Sequence, residues 1–455
     1  MRLFDSILDS IGRTPMVKLC RISPAEGATI YGKCEFLNPG GSIKDRMAVH
    51  IVRKAMERGD LNPGGVIVEN TSGNTGAGLA LIAAVYGCKL ILTMPDKMSQ
   101  EKIDMLRAFG AKVVVTPTNV PADHPDSYYE TAKRIAREIP GAFYVNQYHN
   151  KDNIEAHYLS TAHEIWDDMG GDVDAIVAGA GTGGTVSGLG RLLREKKAKT
   201  RLVAVDPVGS IYYDLFKSNT MTVPHVYKVE GIGEDMVCGA LDFSVIDDFE
   251  RVNDRECFLM ARRLAREEGL FVGGSSGGAA AAAVRVARRL APGQKVVVVF
   301  PDAGNRYLSK LYNDEWMRVN GFLADESEDT AGAVLGHRGG GVVWVAADES
   351  LLSAAAKLKE RNISQAPVHT AAGDLSGCIS EQAILTALLS GVGAGTVVSQ
   401  VMDKPLPVVS ADSGLSRVSE ALLGRSAVLV GERPHRDEIV GILARIDIIE
   451  YLSKK

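Results

Sequence analysis

The chain has 455 residues, of which 45% are hydrophobic and 24% are charged, and these values are typical of a soluble globular protein with two to four domains. Its 51 Lys and Arg residues against 56 Asp and Glu residues give a net charge of −5, which argues against nucleic acid or an anionic membrane surface as a partner. No apolar run reaches membrane-spanning length and the N terminus has no apolar signal core, so we predict a cytoplasmic protein without a membrane partner.

The cysteines and histidines show no pattern that is typical of disulfides or metal sites. The six cysteines are scattered without a CxxC pair, which predicts reduced thiols. The nine histidines have no metal-ligand spacing, and we therefore predict no metal site. The cysteines are Cys20, Cys34, Cys88, Cys238, Cys257 and Cys378.

The first segment with a chemical signature is 38–46, which reads Asn-Pro-Gly-Gly-Ser-Ile-Lys-Asp-Arg. A lysine amine becomes nucleophilic when its pKa is lowered, and it can then form a Schiff base with an aldehyde cofactor. The small residues Gly40, Gly41 and Ser42 leave room for such a cofactor near Lys44. A plain helix start with Ser42 as its N-cap fits the same residues, so this segment alone leaves both interpretations open.

A second loop, Thr71–Gly76, follows the predicted strand Val66–Glu69 and precedes a helical pattern. Hydroxyls and N–H groups at the start of a helix are suited to binding a small carboxylate. The amide of Asn74 is also suited to hydrogen-bond the ring hydroxyl of a cofactor. A capped helix with a flexible beginning is the alternative interpretation.

Between residues 60 and 320, short apolar runs alternate with helical patterns. Near-continuous apolar runs are typical of parallel strands buried on both faces, and their alternation with helices predicts an α/β fold. The number of runs fits two open parallel sheets with a cleft between them. The predicted strands are Val66–Glu69, Lys89–Met94, Lys112–Thr116, Ala175–Gly179, Leu202–Asp206 and Lys295–Phe300. The predicted helices include Gly76–Tyr86, Gln100–Phe109, Val186–Arg194 and Ser276–Leu290.

A glycine-rich loop, Gly181–Thr185, lies between a predicted strand and a predicted helix. Its main-chain N–H groups and its threonine hydroxyls are predicted to bind a phosphate dianion. A nicotinamide dinucleotide site is a rival interpretation, because 179–184 also fit G-x-G-x-x-G and Asp206 ends the next strand. That rival gives no role to Lys44 or to Thr71–Gly76, and the phosphate interpretation is therefore favoured.

A third loop of this kind, Gly273–Gly277, precedes another helical pattern. The hydroxyl of Ser275 is suited to face a pyridine nitrogen. A neutral hydroxyl leaves that nitrogen unprotonated, whereas an aspartate would stabilise the charged ring. An unprotonated ring is the weaker electron sink, which suits β-elimination better than transamination.

The composition changes at 321–341, where an acidic run leads into a glycine-rich stretch that predicts a linker. Two similar passages follow, 342–380 and 407–444, and each reads strand, helix, strand, strand and then a helix. This internal repeat resembles a pair of cystathionine β-synthase-type (CBS) regulatory modules, known as a Bateman pair. An unrelated small α/β domain is the alternative.

Residues 4–323 resemble, end to end, the pyridoxal-phosphate (PLP) enzymes of the cysteine synthase and cystathionine β-synthase family, which have fold type II. The resemblance implies that Lys44 forms the Schiff base, that Asn74 contacts the ring hydroxyl and that Ser275 contacts the pyridine nitrogen. It assigns the cofactor phosphate to Gly181, Thr182, Gly183, Gly184 and Thr185. It assigns the substrate carboxylate to Thr71, Ser72, Thr75 and Gln147.

Within this family, the stretches 206–210 and 229–233 and the Bateman pair favour the cystathionine β-synthase branch. The resemblance then implies a PLP-dependent lyase that joins L-serine and L-homocysteine into L-cystathionine and forms a homodimer or a higher homo-oligomer. Because the chain begins almost at the catalytic domain, we predict no heme. Glu234 stands where eukaryotic relatives carry tyrosine, which leaves the second-substrate pocket open. A cysteine synthase using O-acetylserine and sulfide, and a nucleotide sensor, are the alternatives.

The predicted organisation is a catalytic domain at 1–323 with a small subdomain at about 46–145, a linker at 324–341, and CBS domains at 342–392 and 393–455.

Adenosyl-binding modules of the CBS kind commonly carry a [Ser/Thr]-x-x-Asp pattern. In this chain the first module reads Ser380-Glu381-Gln382-Ala383 and lacks the aspartate, whereas the second reads Ala444-Arg445-Ile446-Asp447 and lacks the hydroxyl. Because each half-site has lost one polar contact, we predict that S-adenosylmethionine binds weakly or not at all.

Overall fold

The computed structural model describes residues 3–453 with the exception of 72, 97, 99, 122, 324–328, 339 and 340. The chain forms two compact units, Met1–Trp316 and Met317–Lys455. The first unit contains a six-stranded and a four-stranded sheet, and the second contains two three-stranded sheets. The domain limits given above stay predictions.

The strands of the first unit build two separate sheets. In chain order they are β1 (Met16–Leu19), β2 (Thr29–Cys34), β3 (Val66–Asn70), β4 (Lys89–Pro95), β5 (Lys112–Thr116), β6 (Phe143–Tyr144), β7 (Ala175–Gly179), β8 (Arg201–Pro207), β9 (Asp248–Val252) and β10 (Lys295–Phe300). The larger sheet has the order β1-β2-β10-β7-β8-β9, with β1 antiparallel to β2 and all other neighbours parallel. The smaller sheet, β5-β4-β3-β6, is parallel throughout. The predicted α/β fold with two open, largely parallel sheets is therefore confirmed.

Helices connect the strands of both sheets in the first unit. In chain order they are α1 (Lys44–Arg58), α2 (Asn74–Tyr86), α3 (Gln100–Ala108), α4 (Tyr128–Glu138), α5 (Lys151–His157), α6 (His163–Asp168), α7 (Gly184–Glu195), α8 (Tyr212–Ser218), α9 (Asp254–Glu267), α10 (Gly274–Arg288) and α11 (Asp314–Val319). The helices α2, α7 and α10 each begin two residues earlier than predicted. Each follows a glycine N-cap that makes no side-chain cap bond, so the sequence carries no capping signal at these starts.

The packing of α1 on α2 fixes the beginnings of both helices. Met47 and Ile51 of α1 and Leu79 and Ile82 of α2 are fully buried in one apolar cluster. Near the start of α2, a Cβ on Gly78 would lie 3.2 Å from the Cα of Asp45. Lys44 and Asn74, which begin the two helices, are thus set by the same buried contacts.

The second unit contains the predicted internal repeat. Its strands are β11 (Val345–Ala346), β12 (Gln365–His369), β13 (Leu375–Ser380), β14 (Val408–Val409), β15 (Ala427–Gly431) and β16 (Ile439–Ala444). In each half the first strand pairs in parallel with the second and the second pairs antiparallel with the third, and the register shifts near the end of the second strand.

The helices of the second unit complete the two repeats and add one helix before them. They are α12 (Ala331–Arg338), α13 (Leu351–Arg361), α14 (Glu381–Leu389), α15 (Leu415–Ala421) and α16 (Arg445–Ser453). The helix α12 falls inside the predicted linker, and its Ala331 and Val334 are buried in a cluster with Val418 and Leu443.

Candidate active site

Lys44 lies at the start of α1 and lines a cavity. The loop before it is tied to the segment after β10, because the main-chain N–H of Ile43 donates to the carbonyl of Pro301 (2.8 Å) and that of Ala303 donates to the carbonyl of Gly41 (3.2 Å). Burial lowers the pKa of Lys44, and the negative charges of Asp302 and Glu234 oppose this shift. A half-buried amine of lowered pKa is more readily uncharged, as a nucleophile or base must be.

A buried ion-pair network anchors the first turn of α1 two residues beyond Lys44. The Arg46 guanidinium donates through Nε to Oε2 of Glu35 (2.6 Å) and through Nη1 to Oε1 of Glu164 (2.6 Å). Lys33, which is fully buried in β2, reaches the same Glu164 carboxylate at 3.0 Å. These contacts hold the pKa of Glu164 at about 2, chiefly through the Arg46 hydrogen bond working against burial.

The glycine-rich loop Gly181–Thr185 lines the same cavity as Lys44, where β7 ends and α7 begins. Gly183 has φ +95°, and a Cβ there would lie 2.5 Å from the Cα of Leu241, so a side chain is excluded. Within the described residues, the main-chain N–H groups of Gly183, Gly184 and Thr185 have no hydrogen-bond partner. Unused N–H groups at a helix start form an anion site, and the predicted phosphate loop therefore has donors available.

Two side chains of α5 contact the threonines of this loop. The amide of Asn153 donates to Oγ1 of Thr182 (3.1 Å), and Oγ1 of Thr185 lies 3.4 Å from Nε2 of His157. Burial and neighbouring cations hold the pKa of His157 well below its usual range. The His157 imidazole is therefore neutral and adds no positive charge next to the Gly181–Thr185 loop.

The residues predicted to bind a substrate carboxylate are only partly brought together. Oγ1 of Thr75, in the first turn of α2, donates to Oε1 of Gln147 (2.7 Å), and Nε2 of Gln147 donates to the carbonyl of Asn70 (3.3 Å). Thr71 accepts a bond at Oγ1 from the N–H of Gly73 (3.1 Å). Ser72, which completes the predicted set, lies outside the described residues.

Asn74 is bonded to residues that the sequence analysis did not identify. Its Nδ2 donates to Oδ2 of Asp302 (2.8 Å), and its Oδ1 accepts from Nη1 of Arg306 (2.5 Å). Asp302 is only 1% exposed, and Oδ2 also accepts from the Tyr307 hydroxyl (2.5 Å). Burial raises the pKa of Asp302, against the opposing hydrogen bonds and the charges of Arg306 and Lys102.

Ser275 lies in the first turn of α10 and is only 2% exposed. Its Oγ is 3.8 Å from the position that a Cβ on Gly231 would take, and Gly231 lines the cavity. The structure thus brings Ser275 next to the cavity wall, although its role stays a prediction.

A charged bridge links α3 to the loop that precedes Gly231. Lys102 of α3 forms an ion pair with Glu230, and Lys310 reaches the other oxygen of the same carboxylate at 2.6 Å. A Cβ on Gly73 would lie 3.6 Å from the Lys102 ammonium, so this bridge is next to the predicted carboxylate loop. The sequence held no signal for it, because the partners are separated by 128 and 80 residues.

The acidic residue of the rival dinucleotide interpretation is already engaged. Asp206 at the end of β8 is fully buried, and its Oδ2 accepts from the main-chain N–H of Tyr213 (2.8 Å). Burial raises its pKa to about 6. Asp206 does not line the cavity that contains the Gly181–Thr185 loop, so it is not placed to bind a ribose there.

Comparison with known proteins places this geometry in a family. Residues 7–302 match the model of the family described as "Pyridoxal-phosphate dependent enzyme", and residues 341–390 and 398–454 match "CBS domain". The "Cystathionine beta-synthase" of Dictyostelium discoideum is 37% identical, over 99% of this chain and 93% of its own. The chain belongs to the cystathionine β-synthase family of PLP-dependent enzymes.

Two further members of the family show how the similarity is distributed. The "Cystathionine beta-synthase" of Mus musculus is 40% identical over 95% of this chain and 78% of its own. The solved structure of "O-acetylserine dependent cystathionine beta-synthase from Helicobacter pylori" has a TM-score of 0.63 at 38% identity, and covers 68% of this chain and 99% of its own. The repeat of the second unit is confirmed as a pair of CBS domains.

The cavity of this family member fits the phosphate and the aldehyde of PLP. The unpaired N–H groups of the Gly181–Thr185 loop suit the phosphate, and Lys44 on the same wall suits the aldehyde. Of the described residues, no group of three or more His, Cys, Asp or Glu side chains is placed to hold a metal ion. In the described parts of the chain, no helix is both long and apolar enough to span a membrane.

Proposed function

We propose that this chain is a cystathionine β-synthase, which replaces the hydroxyl of L-serine by the thiolate of L-homocysteine and releases L-cystathionine and water. The observation that carries the proposal is that Lys44 and the unpaired N–H groups of Gly183, Gly184 and Thr185 share one cavity. The relatives named cystathionine beta-synthase support it, since the similarity extends through both the catalytic part and the CBS domains.

When bound, PLP supplies the electron-withdrawing ring that makes the α-proton of serine acidic. Lys44 would hold the aldehyde of the cofactor, and its Nζ would be the base that takes this proton and assists the loss of the hydroxyl. Burial lowers the pKa of Lys44, so the amine is uncharged in a larger fraction of molecules. The neutral hydroxyl of Ser275 would hold the ring nitrogen.

Thr71, Ser72, Thr75 and Gln147 are the residues proposed to bind the substrate carboxylate. The α2 helix begins after Gly73 without a side-chain cap, so its first N–H groups and its positive dipole end favour a carboxylate. Thr75 and Gln147 are already hydrogen-bonded to each other, which fixes their side chains before substrate arrives.

O-acetylserine is a second candidate for the first substrate. The similar solved structure from Helicobacter pylori is named an O-acetylserine dependent enzyme, and it matches the part of this chain that contains the cavity. This alternative changes the leaving group from hydroxyl to acetate and leaves the roles of the protein residues unchanged.

Product analysis tests the proposal. The purified protein with PLP is incubated with serine and homocysteine, with O-acetylserine and homocysteine, and with O-acetylserine and sulfide, and the products are identified by mass spectrometry. Cystathionine from either of the first two mixtures supports the proposal and identifies the first substrate. Cysteine from the third mixture without cystathionine from the others contradicts it and shows a cysteine synthase.

Assembly and regulation belong to the same proposal. A closed two-fold homodimer or a higher homo-oligomer is the expected assembly, and light scattering at micromolar concentration measures it. The six free thiols fit the reducing cytosol. Weak or absent binding of S-adenosylmethionine by the CBS domains, and the absence of heme, stay predictions.

A further inference from the structure

The side-chain amide of Asn74 is held at both of its ends. Nδ2 donates to the carboxylate of Asp302 at 2.8 Å, and Oδ1 accepts from the guanidinium of Arg306 at 2.5 Å. Rotating the amide by 180° would set its carbonyl against a carboxylate and its N–H groups against a cation. The two flanking charges therefore permit one orientation of this amide.

Both flanking residues are themselves fixed to the loop that carries Lys44. Asp302 follows the cavity-lining Pro301 and forms an isolated bridge with Ser42. Arg306 donates a second hydrogen bond, from Nη2, to the carbonyl of Gly40. The arrangement thus joins the start of α2 to the loop before Lys44 through side chains that touch neither substrate nor cofactor in the proposed reaction.

The Asn74 amide has one N–H group that is not used in these two hydrogen bonds. An asparagine amide has two N–H groups and one carbonyl, and Asn74 uses one N–H on Asp302 and its carbonyl on Arg306. In the described part of the chain, the second N–H has no partner. A PLP ring oxygen that carries negative charge needs a donor, and a carbonyl turned toward it would repel it.

We infer that Asp302 and Arg306 are positioning residues, which hold Asn74 so that a side-chain N–H rather than its carbonyl is available to the ring oxygen of PLP. This inference rests on the proposed function and deepens it, because it adds two residues that determine the electronic state of the cofactor without contacting it.

The visible absorption spectrum of the PLP-loaded protein tests this inference. The band position reports the protonation state of the ring oxygen, and a purely structural role of Asp302 would not move it. We compare the single variants Asn74→Ala, Asp302→Asn and Arg306→Gln. A double variant combines Asn74→Ala with Asp302→Asn. Tyr307→Phe is the matched control, because it removes the other hydrogen bond to Asp302 and leaves the bonds of Asn74 in place.

We expect Asp302→Asn and Arg306→Gln to shift the absorption band in the same direction as Asn74→Ala, and to weaken PLP binding about tenfold. The double variant adds nothing to Asn74→Ala, since both changes remove one interaction. Tyr307→Phe keeps the wild-type band. Arg306 is half-buried, so its variant carries the test if Asp302→Asn does not fold.

Wild-type spectra from folded Asp302→Asn and Arg306→Gln, alongside a shifted spectrum from Asn74→Ala, would overturn the inference and leave the proposed function intact. An unshifted spectrum from Asn74→Ala would overturn it as well. A wild-type protein that takes up no PLP would overturn the proposed function itself, and borohydride reduction followed by mass spectrometry distinguishes that case.

Discussion

Helices begin differently around the cavity and in the CBS domains. Around the cavity, α2, α7 and α10 each follow a glycine and have no side-chain cap. In the CBS domains, α15 likewise follows a glycine without a cap, but α13 and α14 follow Ser350 and Ser380, whose hydroxyls accept from the main-chain N–H of Ser353 (3.2 Å) and Ala383 (3.1 Å). Glycine in place of serine at an N-cap costs only roughly a few tenths of a kcal/mol, so these open starts cost little stability and leave N–H groups free for a ligand.

The same comparison explains why the CBS half-sites are expected to bind poorly. The Ser380 hydroxyl is used as a helix cap, and Oδ2 of Asp447 accepts from the main-chain N–H of Ala444 at 2.6 Å. Each surviving polar group of the adenosyl pattern thus has a structural use. The open helix starts next to the cavity are predicted to bind ligands, whereas Ser350 and Ser380 cap helices of the CBS domains.

Of the substitutions at the cavity, Lys44→Ala has the largest expected effect. We expect β-replacement to fall roughly 10³-fold or more, because both the attachment point and the base are lost. Borohydride reduction followed by peptide mass spectrometry should find PLP on the Lys44 peptide of the wild type alone. Lys54→Ala removes a lysine from the same helix and should keep activity. A cofactor fixed on another lysine would contradict the assignment.

A carboxylate added to the phosphate loop should compete with the cofactor. Thr182→Asp sets a negative charge beside the unpaired N–H groups, and we expect PLP affinity to fall roughly 30-fold, or about 2 kcal/mol. Fluorescence titration of the apoprotein measures this change. Ser127→Asp, at the capped start of α4, is the matched control and should leave affinity unchanged. Wild-type affinity in Thr182→Asp would show that the phosphate lies elsewhere.

Restoring the adenosyl-binding pattern tests the prediction for the CBS domains. Calorimetric titration of the wild type with S-adenosylmethionine should show no tight binding. Ala383→Asp completes the Ser-x-x-Asp pattern, and we expect about tenfold tighter binding from one regained hydrogen bond to a charged group. Gln382→Asp adds the same charge one position away and should gain nothing. Tight wild-type binding with a rise in turnover would refute the idea that the half-sites are incomplete.

The smallest expected effect comes from removing a structural cap. Ser350→Ala should lower the free energy of unfolding of the CBS domains by about 1 kcal/mol, because the N–H of Ser353 loses its acceptor. Urea denaturation followed through the CBS-domain transition measures this loss. PLP affinity should be unchanged, and a parallel loss of affinity would mean that the two kinds of helix start are not independent.

The sequence predicted the bounds of several strands better than the starts of the helices α2, α7 and α10. The strands β5, β7 and β10 have the bounds that were predicted, because each is a continuous apolar run, which in β7 and β10 is also buried. The helices α2, α7 and α10 begin earlier than predicted, because their first turns lack the capping residues by which a helix start is recognised.

Antiparallel β1 and its neighbour β2 were not predicted. The strand β2 contains Lys33, a charged residue that is fully buried because Glu164 and Asp168 neutralise it from more than a hundred residues away. Lys44, the predicted phosphate loop and Ser275 were predicted as site residues from local patterns, and the structure places Lys44 and the loop on one cavity. Asp302 was not, since its contact with Asn74 spans 228 residues and no local pattern indicates it.

The parallel pairing of β2 with β10 has a consequence for the order of events during synthesis. Residues Thr29–Cys34 lie in the larger sheet beside Lys295–Phe300, and the loop before Lys44 is bonded to Pro301. During synthesis, more than 250 residues must therefore follow Lys44 before the strand that secures its loop leaves the ribosome. We expect ribosome-bound chains shorter than this to retain no cofactor, so loading with PLP becomes a late step that reports completion of the whole catalytic unit.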